Sequence, residues 1–122
     1  MKRLVISLVI VAAVLVGVIC GRNKVDKGID QTVALIQEIQ HADASERQAL
    51  SDQLGAHWER CEAMFYAWYP HNDVKEVQAE LLMIRYYTAT GDADELTESA
   101  IKALMLLRNI RRSEDLRPEN VF

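Results

Sequence analysis

The sequence of 122 residues predicts an all-α protein, in which an N-terminal transmembrane helix precedes a small antiparallel bundle of about four helices. Residues 4–21 contain no charged side chain, whereas the apolar residues of the remaining chain recur at the three-to-four spacing of helices. The chain has only two prolines, and few of its runs alternate as strands do. The sequence therefore divides into a membrane anchor at 1–22 and a soluble bundle at 23–122, which ends in a tail at 114–122.

The charge-free segment is long enough for a helix of roughly 27 Å, close to the thickness of a bilayer's hydrocarbon core. A cleaved signal peptide usually has a shorter apolar region, followed by a small-x-small cleavage site, and no Ala-x-Ala sequence closes this one. A lipoprotein would have a small residue before Cys20, where this sequence has Ile19. We therefore interpret the segment as an uncleaved signal-anchor.

The positive charges around this segment favour two opposite orientations. Lys2 and Arg3 favour a cytoplasmic N-terminus, whereas Arg22, Lys24 and Lys27 favour a cytoplasmic bundle. A short basic tail before a first apolar segment usually stays inside. The sequence thus predicts a single-pass protein of the cytoplasmic membrane whose soluble domain lies outside the cytoplasm.

The soluble part is acidic, since beyond Arg22 it has 11 Lys and Arg against 18 Asp and Glu. An acidic domain is expected to repel phosphate backbones and anionic lipid surfaces, so nucleic acid is not an expected partner. Four arginines near the end of the chain are interpreted as cations that complement the C-terminus of a helix; they are Arg108, Arg111, Arg112 and Arg117.

The first two soluble helices follow from the apolar spacing. The segment that begins at Val25 follows the membrane segment without a strong stop signal, so one helix can run through both. The second helix is predicted from about Ser45 to Tyr69. Pro70 ends it, because the residue before a proline is pushed out of the helical region.

The last two helices are predicted from their capping residues. A capping box at Asp73 to Glu76 is expected to open the third helix, and Gly91 to close it. Asp92 is expected to open the fourth helix by the same capping chemistry, and this helix is predicted to end near Ser113.

The stretch HWERCEAMFYAWYPHND, residues 57–73, holds five of the eight aromatic residues. At 100° per residue, Trp58, Phe65 and Trp68 share one face of the second helix, which is typical of a core stripe. A ligand pocket lined by the same three side chains is the alternative. Tyr66 falls outside this face and is therefore the better candidate for a contact with another protein.

The sequence predicts neither a metal site nor an enzyme. His57 and Cys61 are spaced as two ligands on one helix, but zinc needs about four ligands, and no second pair with suitable spacing is present. No nucleophile turn and no glycine-rich phosphate loop occurs. We therefore expect no catalytic residues, no metal and no cofactor.

Two stretches carry a resemblance to a known family. LGAHWERCEAMFYAWYPHNDVKEV is similar to a Trp-centred helix that is followed by a histidine turn and an acidic helix start, here Trp58, His71 and Glu76. The tail RPENVF is similar to a closing Glu-Asn-aliphatic-Phe sequence, here residues 119–122. With its basic start and single apolar segment, the whole chain resembles domain of unknown function 4363, an uncharacterised family of small membrane-anchored helical proteins from Firmicutes.

The resemblance implies that Trp58 and His71 belong to the architecture, and it brings no activity. It also implies a membrane complex, because members are often encoded near a multi-pass membrane protein. The chain end itself has two interpretations. In the first, Asn120 and Phe122 dock on the bundle, where a fully buried large apolar side chain contributes roughly 1.5–3 kcal/mol. In the second, they form a short anchor that binds a partner protein.

These observations predict a non-enzymatic accessory or scaffold subunit that interacts with another membrane protein, expected to be a multi-pass one. The alternative is an extracytoplasmic ligand-binding module that uses an apolar aromatic pocket in the bundle. The sequence leaves a homo-oligomer open.

Overall fold

The computed structural model describes the backbone of residues 2–121 and the side chains of residues 2–112. The helices are α1 (Lys2–His41), α2 (Ala44–Trp68), α3 (His71–Thr90) and α4 (Ala93–Val121). The described residues contain no strand. Helix α1 packs against α2 and α4, and α3 packs against the same two helices, so the four form an antiparallel bundle. The predicted all-α fold is confirmed.

Helix α1 is continuous from Lys2 to His41 and has two different halves. Its N-terminal part is long and apolar enough to cross a membrane, by length and composition, and no part of its most apolar 18-residue window is buried in the bundle. Its C-terminal part supplies core side chains, among them Val25, Ile29 and Ile36. The expectation that one helix runs through both segments is confirmed.

The ends of α2 and α3 and the start of α4 agree with the sequence. Tyr69 has an extended backbone, and its N–H donates to the carbonyl oxygen of Phe65 at 3.0 Å. Gly91 has φ of 76°, a left-handed conformation that glycine adopts without a steric penalty. The N–H of Glu95 donates to the carboxylate of Asp92 at 3.2 Å, which caps α4.

Two predicted helix boundaries are wrong. Helix α3 begins at His71, before the predicted capping box at Asp73, because the N–H of Val74 already bonds the carbonyl oxygen of Pro70 at 3.2 Å. The N-cap is Pro70 and not Asp73, and no side chain caps this end of the helix. Helix α4 does not stop near Ser113 but continues to Val121. Residues 113–117 contain no glycine or proline, and the backbone stays helical through Pro118 as well.

The core lies between the four helices and is almost wholly aliphatic and aromatic. Each helix contributes residues at three-to-four spacing, as the apolar stripes predict. The largest fully buried side chains are those of Ile36, Ile39, Leu54 and Ile84. The bundle therefore encloses the C-terminal half of α1 and leaves the N-terminal half outside.

Candidate functional site

The aromatic stripe of α2 forms part of the core. Phe65 is 2% exposed and Trp58 7%, and their ring centroids lie 5.2 Å apart. Tyr69 continues the cluster at 6.4 Å from Phe65. The gap between these rings and their neighbours has a volume of about 10 Å³, which is about the space that one water molecule requires. The interpretation of Trp58 and Phe65 as core residues agrees with this packing.

Trp68 is half-buried and lies apart from that gap, where the apolar segment of α1 meets the bundle. A methyl group built on Gly21 would come within 2.8 Å of Cζ2 of Trp68, so the indole lies directly on the backbone of α1. A methyl group built on Gly28 would likewise come within 3.0 Å of Cζ of Phe65. The absence of a side chain at both glycines lets α2 approach α1 closely.

Tyr66 and His71 contact each other across the turn between α2 and α3. Their ring centroids lie 4.5 Å apart, and the hydroxyl of Tyr66 donates to the side-chain oxygen of Gln78 at 2.7 Å. The predicted partner-contact residue Tyr66 is therefore half-buried and bonded within the bundle. His71 is exposed and contacts Tyr66, and the architectural role that the family resemblance implies for it stays a prediction.

A buried polar cluster joins α1 and α2. Nε2 of His57 lies 3.0 Å from the carbonyl oxygen of Gly28 and 2.9 Å from Oγ1 of Thr32, while the Thr32 hydroxyl donates to the same carbonyl at 2.8 Å. A carbonyl oxygen only accepts, so Nε2 of His57 must carry a proton. This histidine therefore satisfies buried polar groups and fixes the register of the two helices.

Cys61 lies one turn from His57, but the pair is not an activated nucleophile. The sulfur atom lies 3.9 Å from each ring nitrogen, too far for a strong hydrogen bond. Burial raises the pKa of the Cys61 thiol, against a smaller lowering by Arg60. A reactive cysteine has a lowered pKa. Among the residues that the structure describes, no three His, Cys, Asp or Glu side chains could hold a metal ion.

We expect Cys61 to react slowly with alkylating reagents until the pH is strongly alkaline. Because the folded state holds the thiol proton more tightly, this group stabilises the fold fully below its ordinary pKa and loses that contribution as the pH rises through the raised value. The measurement is the iodoacetamide rate against pH in Cys20→Ser protein, in which Cys61 is the single thiol. A midpoint below the ordinary value would instead indicate a thiolate paired with His57.

Two surfaces of the described residues are exposed and apolar. The first is the N-terminal half of α1, where Gly17 has no atom within 4 Å of the place where a Cβ would stand. The second is an open groove of about 400 Å³ between α3 and α4, in which Met105 is 59% exposed. Its walls carry negative charge from Glu76 and Glu80 and positive charge from Lys102. This mixture of charges does not indicate which kind of partner would bind in the groove.

The tail residues Asn120 and Phe122 cannot be placed in either predicted role. The side chain of Asn120 lies outside the described side chains, and Phe122 lies outside the described residues. Docking on the bundle and anchoring of a partner both remain predictions.

The chain is thus an antiparallel four-helix bundle built on an N-terminal helix that is long and apolar enough to span a membrane. The sequence model of one family matches residues 22–121, which is the bundle without the apolar segment. The chain belongs to this family, Domain of unknown function (DUF4363). No curated protein and no solved structure matches the chain.

Proposed function

We propose that this chain is a non-enzymatic accessory subunit of a membrane complex, which binds a multi-pass membrane protein through the apolar half of α1. The observation that carries the proposal is the division of α1. One continuous helix contributes its C-terminal half to the bundle core, while no part of its 18-residue apolar window is buried in the bundle. A partner bound to that half would be held rigidly relative to the bundle.

The geometry narrows the surface that a partner would contact. Gly17 and Gly21 form a small-xxx-small pair, which lets membrane helices approach closely. Gly21 is covered by Trp68 of the same chain, whereas Gly17 is open. Ala13 lies one turn before Gly17 and extends the open small-residue face. The partner helix is therefore expected to pack on Ala13 and Gly17.

The absence of catalysis is part of the same proposal. Cys61 is half-buried and has a raised pKa, and His57 is buried and hydrogen-bonded to α1, so neither residue has the environment of an activated nucleophile. In the described part of the chain the carboxylates do not converge with these residues on a metal-binding cluster. A substrate turned over by the purified protein, with activity lost on single side-chain changes, would overturn this part of the proposal.

Gly17→Leu is expected to lower recovery of the partner at least about tenfold, because the added side chain holds the two helix backbones apart. The measurement is crosslinking in cells of the tagged full-length protein, followed by extraction in mild detergent and mass spectrometry. Ala12→Leu is the matched control, since it adds similar bulk about 140° around the same helix. Equal recovery of one multi-pass protein with wild type and Gly17→Leu would contradict the assigned face.

A swap of the anchor tests the proposal more broadly. Residues 4–19 are replaced by an unrelated apolar sequence, while Gly21 is kept so that Trp68 retains its packing. Loss of a recurrent multi-pass partner supports the proposal. Retention of that partner would place the interaction on the bundle. Recovery of the protein only with copies of itself would indicate that it forms a homo-oligomer and is not an accessory subunit.

The alternative of a ligand-binding module needs a larger pocket than the aromatic cluster forms. Pockets for small molecules usually have about 300–1,000 Å³, and the gap beside Trp58 and Phe65 has about 10 Å³. A ligand there would have to separate the helices. The packing therefore favours the accessory subunit.

A further inference from the structure

Two contacts between α1 and α2 fix the level at which α2 ends. Phe65 lies against Gly28, and Trp68, the last residue of α2, lies against Gly21, the last residue of the charge-free segment. Side chains of a helix lean toward its N-terminus, so the backbone of Trp68 lies closer to the apolar segment than its indole does. The turn that follows, residues 69–71, therefore lies beside the last residues of the apolar segment.

The indole of Trp68 is half-buried, and its polar edge is open to the outside. Within the described residues its N–H has no hydrogen-bond partner. The buried side-chain atoms that lack a partner are Oγ of Ser51 and Nε1 of Trp58, so the N–H of Trp68 is not buried. This side chain thus presents an apolar body to α1 and a free donor to whatever surrounds the bundle.

The chemistry of this turn fits the boundary between lipid and water. Tryptophan is enriched at that boundary, because its ring is apolar and its N–H finds acceptors among headgroups and water. Pro70 is exposed and has no backbone N–H. The N–H of Tyr69 already donates to the carbonyl oxygen of Phe65. The turn therefore brings few unpaired backbone donors toward the lipid, where each would be costly.

Net charge does not explain a contact at this place. The charged residues next to the turn and to the end of the apolar segment have both signs; they are Arg22, Lys24, Asp26 and Asp73. A contact with the membrane would therefore depend on the indole of Trp68 and needs no anionic lipid.

We propose that Trp68 and the turn between α2 and α3 lie in the headgroup layer of the membrane, where the indole packs between α1 and the lipid. The inference rests on α1 crossing the membrane, as the proposed function does, but it needs no protein partner. It holds for either orientation of the chain, because the turn and the bundle lie on the same side of the apolar segment. A bundle held by both α1 and this turn tilts less on the membrane surface.

The test is tryptophan fluorescence of the full-length protein in phosphatidylcholine vesicles whose acyl chains carry bromine atoms, which quench only nearby indoles. Bromine atoms near the headgroups are expected to quench most of the fluorescence of Trp68, and bromine atoms near the chain ends much less. The variant Trp68→Phe, with its fold checked by circular dichroism, is expected to lose this quenching. Its remaining Trp58 is 7% exposed and lies about 15 Å farther along α2. Equal quenching of wild type and Trp68→Phe would overturn the proposal.

A probe inside the apolar segment separates failure of this inference from failure of the proposed function. Val11→Trp in the Trp68→Phe protein places an indole near the middle of the charge-free residues, at a position that is 55% exposed. We expect bromine atoms near the chain ends to quench this indole most. If it is quenched and Trp68 is not, α1 crosses the membrane without the turn, and the inference alone is wrong. If neither is quenched, α1 lies outside the membrane, and both the inference and the proposed function are wrong.

High salt distinguishes an apolar contact from attraction between charges. Salt screens exposed charges and does not weaken apolar burial. The quenching of Trp68 is therefore expected to be the same at low and at high salt. Its loss at high salt would show that charges hold the turn at the membrane, and this would contradict the proposed role of the indole.

Discussion

Replacing Phe65 by alanine is expected to lower the free energy of unfolding of the bundle by about 3–5 kcal/mol, the range for truncation of a buried aromatic side chain. Phe65 is 2% exposed, packs against Trp58 with the two rings tilted, and lies against the backbone of Gly28. The helices around it cannot close the cavity without shifting α2 toward α1. The measurement is urea denaturation of the full-length protein in detergent micelles, followed by circular dichroism.

The matched control is Tyr66→Phe in the neighbouring position. It removes only the hydroxyl that donates to Gln78, so a loss of about 1 kcal/mol is expected. A loss of less than about 1 kcal/mol for Phe65→Ala would show that Phe65 is not a core residue. It would also favour the alternative in which the aromatic side chains of α2 line a ligand pocket.

Replacing Asn23 by proline is expected to cost about 3 kcal/mol or more. Asn23 is exposed and lies inside α1, between Gly21 and the buried Val25. Proline at this position removes the hydrogen bond to the carbonyl oxygen of Ile19 and clashes with that carbonyl. The resulting kink would lift Trp68 from Gly21 and displace Val25 from the core.

The control for this variant is Asn23→Ala, which keeps the backbone N–H and has a better helix propensity. We expect it to leave the free energy of unfolding unchanged or slightly higher. If proline and alanine behaved alike in urea denaturation, the anchor and the bundle would be separate units joined by a flexible segment. The rigid α1 on which the proposed function depends would then be wrong.

Much of the fold could be predicted because its signals are local. The three-to-four spacing of apolar residues, Gly91 and the cap at Asp92 act within one or two turns, and the structure confirms all three. The boundary at the start of α3 was missed because two signals competed. Pro70 ends α2 and is also the N-cap of α3, because its carbonyl oxygen accepts the N–H of Val74, so the helix begins two residues before the predicted capping box.

The contacts that join helices could not be predicted, because they depend on residues far apart in the sequence. The bonds of His57 to Thr32 and Gly28, for example, follow from the register of α2 on α1. A signal for the close approach was present. Gly21 and Gly28 lie seven residues apart on one face of α1, opposite the bulky Trp68 and Phe65.

The central claim is that α1 is one uninterrupted helix from the apolar segment into the bundle core. Hydrogen exchange of the backbone amides of residues 20–28, in full-length protein in nanodiscs, tests it most directly. A continuous helix predicts slow exchange throughout this stretch, comparable with that of the buried turns around Ile36. Exchange at the rate of an unstructured chain over these residues would contradict the claim and separate the anchor from the bundle.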